Sequence, residues 1–289
     1  MKSVGFYLMN KKGLKTIYKI IDLKKDYLIK YVVCSRDSNV INDYYEDIKA
    51  LCKLNNILFL DRKEESFFKV DYKIAIGWRW IIKNSENLIV FHDSILPGYR
   101  GFSPLVNCLI NEEKEIGVTA LFASDDYDRG EIIEQKKINI EYPITIKKAI
   151  DLIGNVYQDL AISILEKIEK HTLSSIVQDE SKASYSLWRD TEDYFINWNW
   201  SSYKIKRFID AVGFPYNGAK TIINNIEHRI LEAEIIDDVE IINRDVGKVI
   251  FVKDEKPVVV CGRGLLKILS MQNQENKNVK IKNFRTRFK

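Results

Sequence analysis

Residues 88–135 read LIVFHDSILPGYRGFSPLVNCLINEEKEIGVTALFASDDYDRGEIIEQ, and the order of apolar runs and turns in this stretch decides the fold class. The run 88–91 is wholly apolar and ends at His92, one of only three histidines in the chain. A polar turn rich in special residues follows at once: Asp93, Ser94, Ile95, Leu96, Pro97, Gly98, Tyr99, Arg100, Gly101. A second apolar run, 116–123, leads into the carboxylate cluster Asp125, Asp126, Tyr127, Asp128, closed by Arg129 and Gly130. Short apolar runs bounded by turn residues read as buried strands. In open α/β sheets ligands bind outside the carboxyl ends of strands. A histidine and an aspartate at two such ends form a pair when the strands are neighbours.

Outward from this stretch the alternation continues. Toward the N-terminus, apolar runs at 4–9, 28–34, 57–60 and 73–77 read as strands. Helices over 14–23 and 40–55 separate the earlier ones, the second with Ile41, Tyr44, Tyr45, Ile48, Leu51 and Cys52 on one face. Toward the C-terminus, 104–111 reads as a helix, 131–140 as a strand and 145–170 as a long helix. The long helix repeats apolar residues at Ile146, Ile150, Ile153, Val156, Tyr157, Leu160, Ile164 and Ile168. Strands alternating with amphipathic helices predict βαβ units and a Rossmann-like, mostly parallel sheet. Residues 171–184 lack a sustained period and carry several serines, so they read as a linker. Beyond it, 185–200 is dense in aromatics, 201–212 is helical, and short strand-like runs follow at 220–223, 229–236, 247–252, 257–261 and 265–271. The expectation is an α/β domain over 1–183 and, over 184–289, a helix plus a small OB-like β-barrel module.

Composition bounds the function. Of 289 residues, 46% are hydrophobic and 30% charged, as in ordinary soluble globular proteins. The formal charge is only +4, because 45 basic residues nearly balance 41 acidic ones. This gives no support for extensive phosphate-backbone binding, so nucleic acid is not favoured as a partner. Cys34, Cys52, Cys108 and Cys261 are widely spaced in apolar surroundings with no CxxC pair, the pattern of reduced, buried thiols. The N-terminal stretch MKSVGFYLMNKKG is too briefly apolar for a signal peptide or a membrane span. The chain reads as cytoplasmic, with no membrane partner.

Histidine is the side chain whose proton affinity lies closest to neutrality, and a nearby carboxylate favours its charged form. Held that way, His92 can donate to a developing oxyanion and move a proton. From the residues alone, His92 and Asp128 point to acyl transfer or hydrolysis on an unassigned substrate. The acidic turn also reads as a solvated surface feature. A metal is not expected, since the cluster lacks the spaced oxygen ligands of a calcium loop and has no second histidine nearby. No GxGxxG follows the first strand, so no dinucleotide fingerprint is present. Trp78 and Trp80, flanking Arg79, read as core packing or as a wall for an aromatic ligand. His171 and His228 read as surface residues.

The pattern His92-x-Ser94-x-Leu96-Pro97-x-Tyr99-Arg100-Gly101-x-x-Pro104, then Gly117-Val118-Thr119, then Asp128-x-Gly130-x-Ile132 resembles the signature of folate-dependent formyltransferases. In the second half, Arg189-Asp190-Thr191-Glu192-Asp193-Tyr194-Phe195-Ile196-Asn197-Trp198 and the segment 211–219 resemble the amino-sugar branch of that family. Gly247 and Cys261-Gly262-x-Gly264-x-Leu266 are similar to its C-terminal β module.

The resemblance implies transfer of the formyl group of N10-formyltetrahydrofolate to the amine of a nucleotide-linked amino sugar, for surface polysaccharide. A methionyl-tRNA formyltransferase is the alternative, and a folate- or nucleotide-binding homologue with impaired catalysis a third reading. In the first reading His92 stabilises the oxyanion, and Asp128 orients it and assists removal of the amine proton. Trp78, Asp125, Asp126, Tyr127 and Gly130 would lie near the folate. Tyr99, Arg100 and Gly101 would meet the acceptor, Arg100 at its phosphates. No metal is implied, and a homodimer is common in that branch. One position departs from the family pattern: an asparagine two residues before the histidine is replaced by Val90, which can donate nothing. Losing one oxyanion donor costs about 3 kcal/mol in a comparable site. Ser94 or a backbone N–H are the candidate replacements, with Asp93 less apt while ionised.

Overall fold

Val4–Leu8 (β1) is five consecutive buried residues, the continuous apolar run of a strand covered on both faces. The computed structural model, which describes residues 2–37, 40, 42–64, 68–82, 85–281 and 283–289, places β1 inside a seven-stranded sheet, flanked by strands on both sides. Helix Asn10–Asp22 (α1) follows, burying Gly13, Thr16, Ile17 and Ile20 on one face. Next come Ile29–Cys34 (β2), helix Tyr45–Leu54 (α2), Phe59–Asp61 (β3), Tyr72–Ile76 (β4) and Leu88–His92 (β5). These five strands are parallel, in the order β3-β2-β1-β4-β5. The chain winds one way from β1 and then the other, so the crevice for a ligand opens at the carboxyl ends of β1 and β4. Helix α2 begins later than its apolar pattern predicts. Tyr44 takes φ +58 and Asp43 Oδ1 accepts the Tyr45 N–H at 3.0 Å, an Asx turn that delays the helix; Ile41 lies outside the described residues.

A two-residue strand, Arg100–Gly101 (β6), and helix Pro104–Ile110 (α3) separate β5 from Glu115–Phe122 (β7) and Ile132–Asn139 (β8). Strands β7 and β8 add to the β5 edge antiparallel. The sheet is therefore mostly parallel, as expected. Helix Ile146–Glu169 (α4) buries the apolar stripe that its sequence repeats, apart from Ile150, which is half-buried.

Residues 171–184 are not a linker. Ile176 pairs with Ile132 at the edge of β8, and Tyr185–Ser186 (β9) runs parallel to β6. The Ser184 carbonyl accepts the Arg100 N–H at 2.8 Å, and the Ser184 N–H donates to the Pro97 carbonyl. The segment is a strap laid across the turn that follows β5. Its hold is mostly main chain and single polar side chains, which leave no hydrophobic period.

The chain divides into two units: Met1–Pro104, Glu115–Ile140 and Ile150–Leu187 form the first, and Leu105–Lys114, Glu141–Ala149 and Trp188–Lys289 the second. In the second unit, helix Ser202–Val212 (α5) starts at Ser201, whose hydroxyl accepts the Lys204 N–H. An antiparallel sheet follows, made of Ala219–Ile223 (β10), Ile226–Ile236 (β11), Val249–Lys253 (β12), Lys256–Val260 (β13) and Leu265–Asn273 (β14), in the order β10-β11-β14-β13-β12. The hairpins turn at Asn224-Asn225 and Asp254-Glu255, all four residues in the left-handed region that tight two-residue loops require.

The C-terminal tail joins the two edges of this sheet. Ile222 and Lys289 exchange both backbone hydrogen bonds at 2.9 Å, while Phe288 N–H donates to Gly247 and Val249 N–H to Thr286. Gly247 has φ +79 and a Cβ there would lie 2.0 Å from the Phe288 carbonyl, so the close approach requires glycine. The small β module is thus closed by the tail. His228, read as a surface residue, is buried within β11, its Nδ1 2.9 Å from the Ile226 carbonyl.

All four cysteines are free and buried, and burial pushes the Cys34, Cys52 and Cys261 thiols up to about 12. Among the described residues, no helix is long and apolar enough to cross a membrane.

Candidate active site

Strand β5 ends in His92, which is paired in register with Thr119 of β7. Asp128 lies in the turn that joins β7 to β8. Neighbouring strands therefore bring the two residues together. His92 is buried, with Nδ1 3.4 Å from Asp128 Oδ1 and Nε2 2.9 Å from the Tyr99 carbonyl. Asp128 takes φ +57 and its second oxygen accepts the Gly101 N–H at 2.8 Å. One carboxylate thus holds both the imidazole and the end of the turn. Gly101 has φ +98, and a Cβ on it would meet the Ser186 carbonyl at 2.6 Å, so the strap and the turn meet only through glycine.

The turn itself is pinned from β7. Thr119 Oγ1 donates to the Ser94 carbonyl at 2.7 Å and accepts the Leu96 N–H, and Gln135 Nε2 bonds both Thr119 Oγ1 and the Leu96 carbonyl. Ser94 is buried and its hydroxyl donates to the Gly98 carbonyl at 2.7 Å. That corrects one expectation: the Ser94 hydroxyl is committed to the turn and is no replacement for the missing amide.

Asp93, immediately after His92, meets a second correction. Lys12 Nζ and Tyr157 Oη both donate to its carboxylate. Burial pushes the Asp93 carboxyl up, but the Lys12 charge and the hydrogen bonds from Lys12 and Tyr157 hold it below the usual carboxylate range. Burial, then the Asp93 charge, push the Tyr157 hydroxyl well above its ordinary value. Asp93 is therefore an ionised acceptor and has no proton to offer an oxyanion. Sequence reasoning missed this brace. Lys12 carries no pattern, and Tyr157 reads as one more apolar position of α4.

Arg100 is the third correction. It has no exposed surface, and all five of its donors are spent. Nε and Nη2 bond Gln178 Oε1 at 3.1 and 2.8 Å, Nη1 and Nη2 bond Glu180 at 2.9 and 2.8 Å, and Nη1 reaches Tyr185 Oη at 3.3 Å. Gln178 in turn donates to the Asp128 and Gly130 carbonyls, both at 2.7 Å. Arg100 fixes the strap to the turn and has no donor left for a phosphate. Gln178, Glu180 and Ser184 belong to this lock, and only their lack of any apolar period marked them in the sequence.

The remaining expected site residues divide. A Cβ on Gly130 would lie 1.7 Å from the Phe122 carbonyl, so that glycine serves close packing. Asp125, Asp126 and Tyr127 are exposed, with Asp126 held by Arg129 at 2.7 Å and the Tyr127 ring 6.4 Å from Phe102. Tyr99 serves through its carbonyl, with φ +58. Trp78, just past the carboxyl end of β4, packs edge-on against Tyr7 and Trp80. Its buried Nε1 has no hydrogen-bond partner among the described residues. Val90 packs against Leu96, Leu121 and Ile132, an apolar setting consistent with its side chain. Among the described residues, no group of three or more His, Cys, Asp or Glu side chains is placed to hold a metal.

Two family models match the chain. One, described as formyl transferase, matches residues 66–168, and the other, formyl transferase C-terminal domain, matches residues 189–289. A methionyl-tRNA formyltransferase of Carboxydothermus hydrogenoformans is 31% identical over 194 residues, which are 67% of this chain but 62% of that protein. The chain thus spans less than two thirds of that relative's length. The crystal structure of WlaRD, a sugar 3N-formyl transferase in the presence of dTDP and 5-N-formyl-THF, is similar with a TM-score of 0.69 at 18% identity, covering 98% of this chain and 99% of that one. The Helicobacter canadensis N-formyltransferase, in complex with folinic acid and dTDP-3-aminofucose, gives a TM-score of 0.69 at 18% identity over 93% and 98% of the two chains. At such identities the likeness is one of fold. With both halves matched by the two domains of one family, the chain belongs to the formyl transferase family.

Proposed function

We propose that the protein moves the formyl group of N10-formyltetrahydrofolate to the amine of a nucleotide-linked amino sugar. The observation that carries the chemistry is the His92–Asp128 pair at the carboxyl edge of the sheet, with Asp128 anchored on the Gly101 N–H. The rim of the crevice fits a folate in kind. Trp78 Nε1 is a buried donor without a partner among the described residues, and Asp125 and Asp126 offer exposed carboxylates to the amino and ring N–H groups of a pterin. When bound, the folate supplies the formyl carbon: the acceptor nitrogen bonds to it, its bond to the folate nitrogen breaks, and the proton lost by the amine matches the one gained by that nitrogen.

The chain's own residues handle charge and protons. His92, with a carboxylate at Nδ1, stabilises negative charge developing on the formyl oxygen. Its Nε2 exchanges the Tyr99 carbonyl for that oxygen, so the turn 94–101 sets the starting orientation of the ring. Asp128 keeps the ring in place and takes the amine proton. The sugar acceptor is supported by the small net charge and by the segment 189–198, which resembles the amino-sugar branch. In the structure this segment packs its own unit: Trp198 is buried and donates to Thr221 Oγ1 at 3.2 Å. A methionyl-tRNA acceptor is the second reading, favoured by the sequence relative described above.

The test is incubation with N10-formyltetrahydrofolate and either a panel of amino-sugar nucleotides or initiator methionyl-tRNA, read as a mass gain of one formyl group. Transfer to a sugar is expected, with His92→Asn and Asp128→Asn each slowed by about a hundredfold or more. Transfer to the tRNA alone overturns the acceptor assignment. Full rates in both variants overturn the roles of His92 and Asp128.

A further inference from the structure

Strands β2 and β3 carry a second cleft at the carboxyl edge of the sheet, and the His92–Asp128 site uses none of its residues. Cys34, the last residue of β2, pairs with Asp61 of β3 and with Leu8 of β1, on the rung that runs on through Ile76 to Phe91. At the β2–β3 end of this edge opens a cleft of about 450 Å³, the size of a small-molecule site. Arg36 follows β2, Tyr45 and Lys49 lie one turn apart on α2, and Phe59, Asp61 and Lys63 come from β3 and the turn after it. All belong to the first unit. Neighbouring strands lie about 4.8 Å apart, so β2 and β3 stand about 14 and 19 Å from β5, the strand that ends in His92.

Charge and shape narrow the occupant. Arg36 is already engaged: it lies over the Tyr45 ring at 4.2 Å and pairs with Asp43 at 3.5 Å and with Glu46. Lys49 and Lys63 are exposed, and among the described residues neither ammonium has a carboxylate or another hydrogen-bond partner. Lys49 Nζ stands 6.0 Å from both the Tyr45 and the Phe59 rings, at the outer limit of attraction to a ring face. Two such ammonium groups suit phosphate oxygens. Asp61 accepts the Tyr45 hydroxyl at 2.9 Å and the Lys63 N–H at 2.8 Å, one bond on each oxygen, and a carboxylate has lone pairs for more. That spare capacity suits the hydroxyl groups of a sugar and repels a bare polyphosphate. The Tyr45 and Phe59 rings, edge-on at 5.3 Å, add an apolar wall. A dinucleotide does not fit, since no GxGxxG follows β1. We propose that this cleft binds a nucleoside diphosphate, with Lys49 and Lys63 on the phosphates and Asp61 on a ribose hydroxyl. On the formyl-transfer reading, on which this further step rests, the occupant is the nucleotide half of the acceptor, whose sugar amine reaches along the edge to His92.

Titration calorimetry with the diphosphates of uridine, thymidine, cytidine and guanosine, and with inorganic pyrophosphate, tests the site on the full chain. At least one nucleoside diphosphate is expected to bind more tightly than pyrophosphate. Lys49→Met/Lys63→Met should weaken that binding by about tenfold, as the loss of two exposed charge contacts implies. Lys53→Met, at an exposed position of α2 outside the cleft, should leave it unchanged, with folding checked by thermal melting. In the wild type the bound diphosphate should slow modification of Lys49 and Lys63, but not of Lys53, by a lysine-acylating reagent. In turnover the double variant should raise KM for the amino-sugar nucleotide about tenfold and leave KM for N10-formyltetrahydrofolate in place. No binding, equal binding in wild type and double variant, or no protection of either lysine overturns the site. Pyrophosphate binding as tightly as every nucleoside diphosphate overturns the nucleoside in it. Formyl transfer with an unchanged acceptor KM overturns the link to the acceptor and leaves a separate nucleotide site. No formyl transfer by the wild type, with a diphosphate still protecting both lysines, overturns the formyl-transfer reading alone.

Discussion

Residues 176–186 hold the turn after β5 through main-chain bonds joined by a set of polar side chains, whereas residues 286–289 hold the two edges of the five-stranded sheet largely through the main chain. In the first closure, a fully buried arginine meets Gln178 and Glu180, and the Ser184 hydroxyl accepts the Tyr99 N–H at 2.9 Å. In the second, Ile222, Gly247 and Val249 share a ladder with the tail, and the apolar anchor is the Phe288 ring, 1% exposed and edge-on to Trp198 at 5.4 Å. The contrast separates two ways of ending a unit. A ladder accepts nearly any residue and needs a single apolar anchor, while a polar lock depends on the identity of each member. The lock sits on the turn that follows His92, and the ladder where only an edge needs covering.

The largest expected effect is on the ladder's anchor. Phe288→Ala should cost about 3–5 kcal/mol of stability in urea unfolding, and a cost below about 1 kcal/mol would show that main-chain bonds alone close the sheet. Arg100→Met comes next, at about 2–3 kcal/mol, because it leaves the buried Gln178 oxygen without its donors. It should also speed amide exchange at Tyr99 and Arg100, whose N–H groups bond Ser184. Unchanged exchange there would mean that the strap holds without its arginine.

The smallest effect is with acid, and it sharpens the contrast. The hydrogen bonds from Arg100 hold the Glu180 carboxyl below its ordinary value. A depressed carboxyl contributes stability above its unfolded value of 4.5 and loses it as pH falls through the folded one. On the tail, hydrogen bonds from Arg287 and Lys248 hold Asp245 down to about 2. Amide exchange corrected for its intrinsic rate should therefore rise at Arg100 before Phe288, whose N–H donates to Gly247, as pH is lowered from 4.5. Loss of protection in the reverse order breaks the comparison.

The strands and helices were legible because burial on a sheet or along a helix imposes a period, as α1 and α4 show. His92 and Asp128 were legible because each sits just past an apolar run, where strand ends place ligands. The strap was not, because Gln178, Glu180 and Ser184 bond one at a time and impose no spacing. Arg100 misled for a related reason: a basic residue in a glycine-rich turn looks the same whether its five donors face a phosphate or a glutamine. Lys12 and Tyr157 were hidden as partners of Asp93, since the elements that carry them lie far from it in sequence: 81 residues for Lys12 and 64 for Tyr157.

The strap also sets an order in time. The Tyr99 N–H waits for the hydroxyl of Ser184, 85 residues further along the chain. During synthesis the sheet strand that carries His92 and the turn beyond it emerge long before the segment that secures them. Closing so long a loop is an entropic cost met only when the last bonds form. The arrangement of His92 beneath its turn is therefore among the last parts of the first unit to mature, and a nascent chain that ends before residue 184 has the histidine but not its fixed setting.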